Sequence, residues 1–171
     1  MGAVSGCRPP LKFTPPKVKQ EKKDPPNIQS KGITVNWFEK QTNGSLFKSM
    51  DIEAQTGTLI AGKQSGIMRV TRGIIYKLGK PVVRFESPVV EAFEDKKVVH
   101  ASGGVVIHSI DPPGVTLWAD HVTWTIKKDK VLAKDNVRFR YVKLGETTPF
   151  AEGGPVSQCT IDTSLKNFHI P

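Results

Sequence analysis

Cysteine is scarce in this chain: Cys7 and Cys159 are the only two among 171 residues. That excludes a disulfide framework and a cysteine metal cluster, and no spacing argument supports a bridge between the two. No run reaches the roughly 18 to 20 consecutive apolar residues that a bilayer-spanning helix needs. The four histidines, His100, His108, His121 and His169, never stand at the H-x-H or H-E-x-x-H spacing that converges two rings on a metal. Absent too are a G-x-S-x-G elbow, a P-loop and a dinucleotide fingerprint. Ala101-Ser102-Gly103-Gly104 lacks the following helix that would make its amides an anion site. A carboxylate stands near an imidazole only at His108 to Asp111 and at Asp120-His121. Each place adjoins a turn or bend, where such residues serve hydrogen bonding and solubility. The reading is therefore a non-enzymatic protein with no cofactor and no metal. Acidic residues are in short supply as well, 16 against 25 Lys plus Arg, for a formal charge of +9. That balance favours anionic partners.

What the chain has in quantity is punctuation. With 15 Gly and 13 Pro, a helix bundle is a poor fit. The length suits one domain with a tail. Residues 8 to 26 hold six prolines and the cations Arg8, Lys12, Lys17, Lys19, Lys22 and Lys23 against Glu21 and Asp24. Proline pairs lack the amide donors of helix or central strand, so the segment 8–29 is expected to be a disordered, semi-rigid linker. It is either a solvated tether or a contact with an anionic membrane surface. Before it, Val4-Ser5-Gly6-Cys7 has the form of a lipobox, in which small residues admit the peptidase and the thiol takes the lipid. Residues 1–7 are read as a lipoprotein signal remnant and Cys7 as the expected lipid anchor, although the six residues before it do not supply an apolar signal segment.

From residue 30 to 171 a period of two dominates. Val131, Ala133, Val137, Phe139 and Tyr141 alternate with Lys134, Asn136, Arg138 and Arg140, which predicts a half-buried strand pair or one bent strand. Val99, Ala101, Val105 and Ile107 alternate in the same sense with His100, Ser102 and His108. Sliding the chain by 32 residues lays Val90, Val99, Ala101 and Val105 on Val122, Val131, Ala133 and Val137, and sets the turn-prone pair Gly103-Gly104 on Asp135-Asn136. This predicts a repeated β-hairpin unit. Glu94 to Lys97, Asp111 to Gly114 and Lys127 to Lys130 read as turns. The apolar parity changes from Val115, Leu117 and Ala119 to Val122, Trp124 and Ile126, which predicts a bulge near Asp120-His121. Further strands are expected at Ile33 to Phe38, Leu46 to Ala54, Ile67 to Tyr76, Val82 to Phe85 and Ser157 to Ile161. Arg138-Phe139-Arg140-Tyr141 brings cations and aromatics together. It is read as alternating surface and core positions, and no nucleic acid is expected as a partner. The fold class expected is all-β, an antiparallel sheet folded on itself as a sandwich, roll or barrel.

Gly114-Val115-Thr116-Leu117-Trp118-Ala119-Asp120-His121-Val122-Thr123-Trp124, a polar tip, and then Val131 to Arg140 together resemble the repeated unit of the OstA-like family of lipopolysaccharide transport. In that unit a strand ending Thr-Leu-x-Ala-Asp is followed by an apolar-polar-aromatic strand, a turn, and a strand ending Gly-Asn-Val. Lys134-Asp135 stands here where a glycine is usual before Asn136. The resemblance covers roughly residues 30 to 145. Within the family, one short domain behind an N-terminal linker is most similar to the inner-membrane-anchored LptC-like members. What this resemblance implies is an open antiparallel β-jelly roll shaped like a folded taco, in the periplasm and anchored to the inner membrane. It implies lipopolysaccharide as ligand, received from an LptB, LptF and LptG transporter and passed to an LptA-like protein by strand addition at the sheet edges. A soluble LptA-type bridge, or a β-sandwich that binds polysaccharide or nucleic acid, is the alternative. Alternation and repeat place Val105, Ile107, Leu117, Trp124, Val137 and Phe139 inward, as the lining of an acyl-chain cleft. The expected partner edges are Ile33 and Val35 on one side and Phe139, Tyr141, Cys159 and Ile161 on the other.

Overall fold

Strict alternation commits a chain to strands with one apolar face, and such a face must be covered. The computed structural model describes residues 27–60 and 65–171. The expectations for Cys7 and for residues 1 to 26 lie outside the described residues. Among the described residues nine strands form one open antiparallel sheet in simple chain order: β1 (Asn27–Lys40), β2 (Leu46–Ile60), β3 (Gly66–Lys77), β4 (Lys80–Phe93), β5 (Val98–Ser109), β6 (Val115–Thr125), β7 (Lys130–Tyr141), β8 (Ala151–Asp162) and β9 (Phe168–His169). A single 3-10 turn, Ile126–Lys128, joins β6 to β7. β5 and β7 lie 32 residues apart at both ends, as the repeat requires. Val131 to Tyr141 is thus one bent strand. The boundary of the tail is corrected: β1 begins at Asn27, and Ile28 and Gln29 pair with Leu59 and Thr58. Backbone pairing needs no apolar alternation, so the polar start of β1 carried no signal.

A line of irregularity crosses the sheet at right angles to the strands. Register shifts fall between Glu86 and Val89, Ser102 and Val105, Trp118 and His121, and Lys134 and Val137. Positive φ values at Gly32, Val70, Gly103, Gly104, Asp135, Asn136 and Gly154 lie along the same line. Asp120-His121 therefore bulges as the parity change predicted. Gly103-Gly104 and Asp135-Asn136, read from sequence as turns, sit in mid-strand: the left-handed conformation they favour is used for a bulge. The Ser87 hydroxyl, 4 % exposed, lies within hydrogen-bond distance of the carbonyl oxygens of Val89 at 2.8 Å and Ser102 at 3.0 Å, beside this register shift.

This crease folds the sheet. Phe85 lies in the half of β4 before it, whereas Trp124 lies level, through Val99, with Ala92 beyond it. Seven residues of strand span about 23 Å. The two rings nevertheless meet at 5.9 Å between centroids. Lys77, at the end of β3, reaches Asp129 in the β6–β7 turn at 2.6 Å, and Lys97, in the β4–β5 turn, sits 5.2 Å from the Trp37 ring of β1. The two halves of the sheet thus face each other across one apolar interior, and among the described residues no hydrogen-bonded closure joins β1 to the far edge. Trp37, Met50, Ile52, Met68, Val83, Phe85, Ile107 and Leu117 are buried there.

Candidate functional site

The six residues expected inside do face the interior. Val105, Ile107, Leu117, Trp124 and Val137 are buried, and Phe139 is half-buried against the same cluster. Their order follows from cross-strand register: Phe85, Ile107, Leu117 and Phe139 form one row across β4 to β7, and Ala92, Val99, Trp124 and Val131 form the facing row. The Trp124 indole N–H points to the Thr163 hydroxyl at 3.4 Å. At the far end Phe139 meets Phe168 of β9 at 5.3 Å, so the last strand stops the interior.

The edges differ from expectation. Ile33 and Val35 lie on the outermost strand β1, with their side chains turned inward and buried. Phe139 and Tyr141 are not on an edge, because β7 is paired by β6 and by β8. That correction has a simple origin: the glycine-rich start of β8, Gly153-Gly154-Pro155, shows no alternation and hides a strand. Cys159 and Ile161 lie on β8, but β9 covers this half of the edge through Thr160 to His169 and Ile161 to Phe168. Among the described residues, the half of β8 from Ala151 to Gly154 has no further strand beyond it. Two residue pairs make a marginal strand, and sequence reasoning missed it because two residues cannot display a period.

Burial pushes the Cys159 thiol up, opposed by a hydrogen bond from the backbone of His169. The thiol is therefore shielded by the strand that covers the edge. In a Cys7→Ser background, deleting residues 166 to 171 is expected to speed labelling of Cys159 by a neutral-pH thiol reagent by about tenfold or more. An unchanged rate would mean that β9 does not guard this edge.

Elsewhere several polar groups are engaged with one another, whereas the buried hydroxyls of Ser49 and Thr71 find no hydrogen-bond partner among the described residues. Asp51 accepts from Tyr76 at 2.7 Å and pairs with Lys48 at 2.9 Å. This hydrogen bond, with burial and the nearby charge, pushes the Tyr76 hydroxyl up to about 12. His108 Nδ1 lies 3.1 Å from the Thr116 hydroxyl, and burial followed by the Arg84 charge pushes its imidazole down. Asp120 accepts from Asn136 at 2.6 Å and does not meet His121 in a dyad. No group of three metal-ligating side chains occurs among the described residues.

On the outer side, a groove follows the crease. One part, about 890 Å³, runs from Gly32 on β1 past Glu53, Arg72 and Pro88. The next, about 760 Å³, runs from Gly104 past Trp118, Asp120 and Arg138 to Pro155 on β8. Trp118 is half-buried here, whereas Trp37 and Trp124 belong to the core. Arg138 stands opposite Trp118, and among the described residues it makes no ion pair, while its neighbour Arg140 holds Glu152 at 2.7 Å. Compared with known proteins, the chain matches no family model and no curated sequence.

Proposed function

We propose that this chain is a non-enzymatic lipid carrier of the OstA-like kind, which takes lipopolysaccharide from an inner-membrane transporter and passes it to a periplasmic bridge protein. In this reading the creased sheet is an open jelly roll, and acyl chains lie between its two halves. The observation that carries it is the continuous apolar inner face of an open sheet, whose halves, among the described residues, have no strand pairing between them and are joined by side-chain contacts such as Phe85 with Trp124 and Lys77 with Asp129. Few polar interactions need to break for the halves to part and admit lipid tails. The resemblance of Gly114 to Arg140 to the family's repeat supports the same reading. Cys7 would supply the membrane anchor, and the uncovered part of β8 would accept a partner strand.

The test is lipid cross-linking from a photoreactive residue at Leu117. Phe139→Asp is expected to reduce cross-linking to lipopolysaccharide about tenfold, and Lys128→Glu, on a hairpin tip, to leave it unchanged. Unfolding is followed in parallel, since a carboxylate placed against the apolar cluster that the half-buried Phe139 packs on destabilises the fold by itself. Equal loss from both variants, with both folded, would refute an interior lipid site.

One observation favours a second reading, a saccharide-binding module. Trp118 offers an apolar ring face beside the unpaired Arg138 and the Asp120–Asn136 pair in one groove. Trp118→Ala would then abolish oligosaccharide binding and leave lipid cross-linking intact.

A further inference from the structure

The parity of a nine-strand meander decides which turns share an end. The β1–β2, β3–β4, β5–β6 and β7–β8 connections lie at one end of the strands, and the β2–β3, β4–β5 and β6–β7 connections at the other. Folding at the crease brings both ends to one lip, opposite the crease, as the contacts of Lys77 with Asp129 and of Lys97 with the Phe38 carbonyl require.

Large apolar side chains are sorted at this lip. Among the described residues, Leu46, Leu78, Leu144 and Phe150 are the large hydrophobics more than 60 % exposed, at 68, 71, 87 and 63 %. All four flank the connections of the first end. The tips are neighbours, since the Phe47 ring lies against Gly79 and the Val142 N–H donates to the Gly114 carbonyl. The facing rim carries the polar tips Glu94 to Lys97 and Lys127 to Asp129, with the less exposed Ile28 and Ile67, at 52 and 45 %, at its β1–β3 side. Outside the ion pairs Lys48–Asp51, Lys77–Asp129 and Lys97–Glu94, the lip presents Lys40, Lys80, Lys96, Lys127, Lys128 and Lys143 against Glu39, Asp95, Asp111 and Glu146. β1 starts at the same lip, so the chain enters the sheet there from the basic segment 8 to 26.

We propose that this lip is a docking surface for an anionic lipid bilayer, with the leucine and phenylalanine tips dipping into the interface and the lysines lying among the headgroups. Apolar tips on three separate hairpins, β1–β2, β3–β4 and β7–β8, with the β5–β6 connection between them carrying none, do not form the flat, contiguous patch that a protein partner buries. A sheet twisting by about 20° per strand also sets them on a curved rim, which a fluid surface can follow and a rigid groove cannot. Lysine stems reach outward while the ammonium groups stay in water, as interfacial residues do. The inference does not rest on lipopolysaccharide binding, because the probe contains none.

The full chain carrying Cys7→Ser, which removes any acyl anchor, is floated with vesicles containing phosphatidylglycerol and with pure phosphatidylcholine vesicles. Binding is expected to the first and to be weak with the second. Leu78→Glu combined with Leu144→Glu should lower it by at least about tenfold. Val70→Glu, equally a surface change but on the crease, should leave it unaltered. A tryptophan placed at Leu144 should shift to the blue on binding and be quenched by lipids brominated in their acyl chains. Binding retained in full by the double leucine variant would assign it to the basic segment 8 to 26 and overturn the proposal. So would the absence of vesicle binding, or a Leu144→Trp emission that the vesicles leave unchanged.

Discussion

Trp124→Ala is expected to lower the unfolding free energy by about 3 to 5 kcal/mol, the cost of a cavity where a large side chain was buried. Trp124 is 2 % exposed, and its ring faces Phe85 from the other half of the sheet. The informative measurement is therefore a double-mutant cycle by urea denaturation with Phe85→Ala. If the halves face one another across the crease, the two substitutions share a cavity, and the pair should couple by about 0.5 to 1.5 kcal/mol. Additive losses would mean that the rings do not meet in solution and that the crease is open. That outcome would also remove the two-layered interior on which the lipid reading depends.

Gly73→Ala is expected to be nearly as damaging although it adds a single methyl group. Gly73 lies in β3 opposite Phe85, and a Cβ there would run into the Phe85 ring and approach the Asp51 backbone carbonyl oxygen to 2.7 Å. Backbone cannot turn aside as a side chain can. Overpacking of this kind costs about 3 kcal/mol, at the upper end of the usual range. Gly104, on the crease, has φ of +96° and no atom within 4 Å of its Cβ position. Gly104→Ala strains the backbone alone and should cost about 1 kcal/mol. Melting curves of the two variants should differ clearly, and equal losses would contradict the close packing of Phe85 over β3.

Much of this was readable beforehand, and the parts that were not have identifiable causes. The 32-residue offset placed β4 on β6 and β5 on β7. The structure adds that β2 stands in the same relation to β4 at an offset of 33: Met50, Ile52, Ala54 and Leu59 match Val83, Phe85, Ser87 and Ala92 in facing the interior or packing against it. An odd offset turns inward positions outward under an even slide, so a fixed step of 32 could not find it. In β3 the inward positions Thr71 and Gly73 also break the apolar series.

The sequence by itself determined most of the strands from β1 to β8, their inward faces, the polar tips and the bulge at Asp120-His121, but neither β9 nor the starts of β1 and β8. All of these are local: side-chain alternation repeats every two residues, and turn chemistry acts within four. Only the tertiary structure decided which strands are edges, how β9 covers Cys159, that the bulges align into one crease, and that Phe85 lies over Gly73 and against Trp124. These depend on residues brought together from distant positions, as Phe85 and Trp124 are by a fold in the sheet. Pairing and folding of this kind are chosen by the burial of the whole apolar face, which no short window of the chain contains.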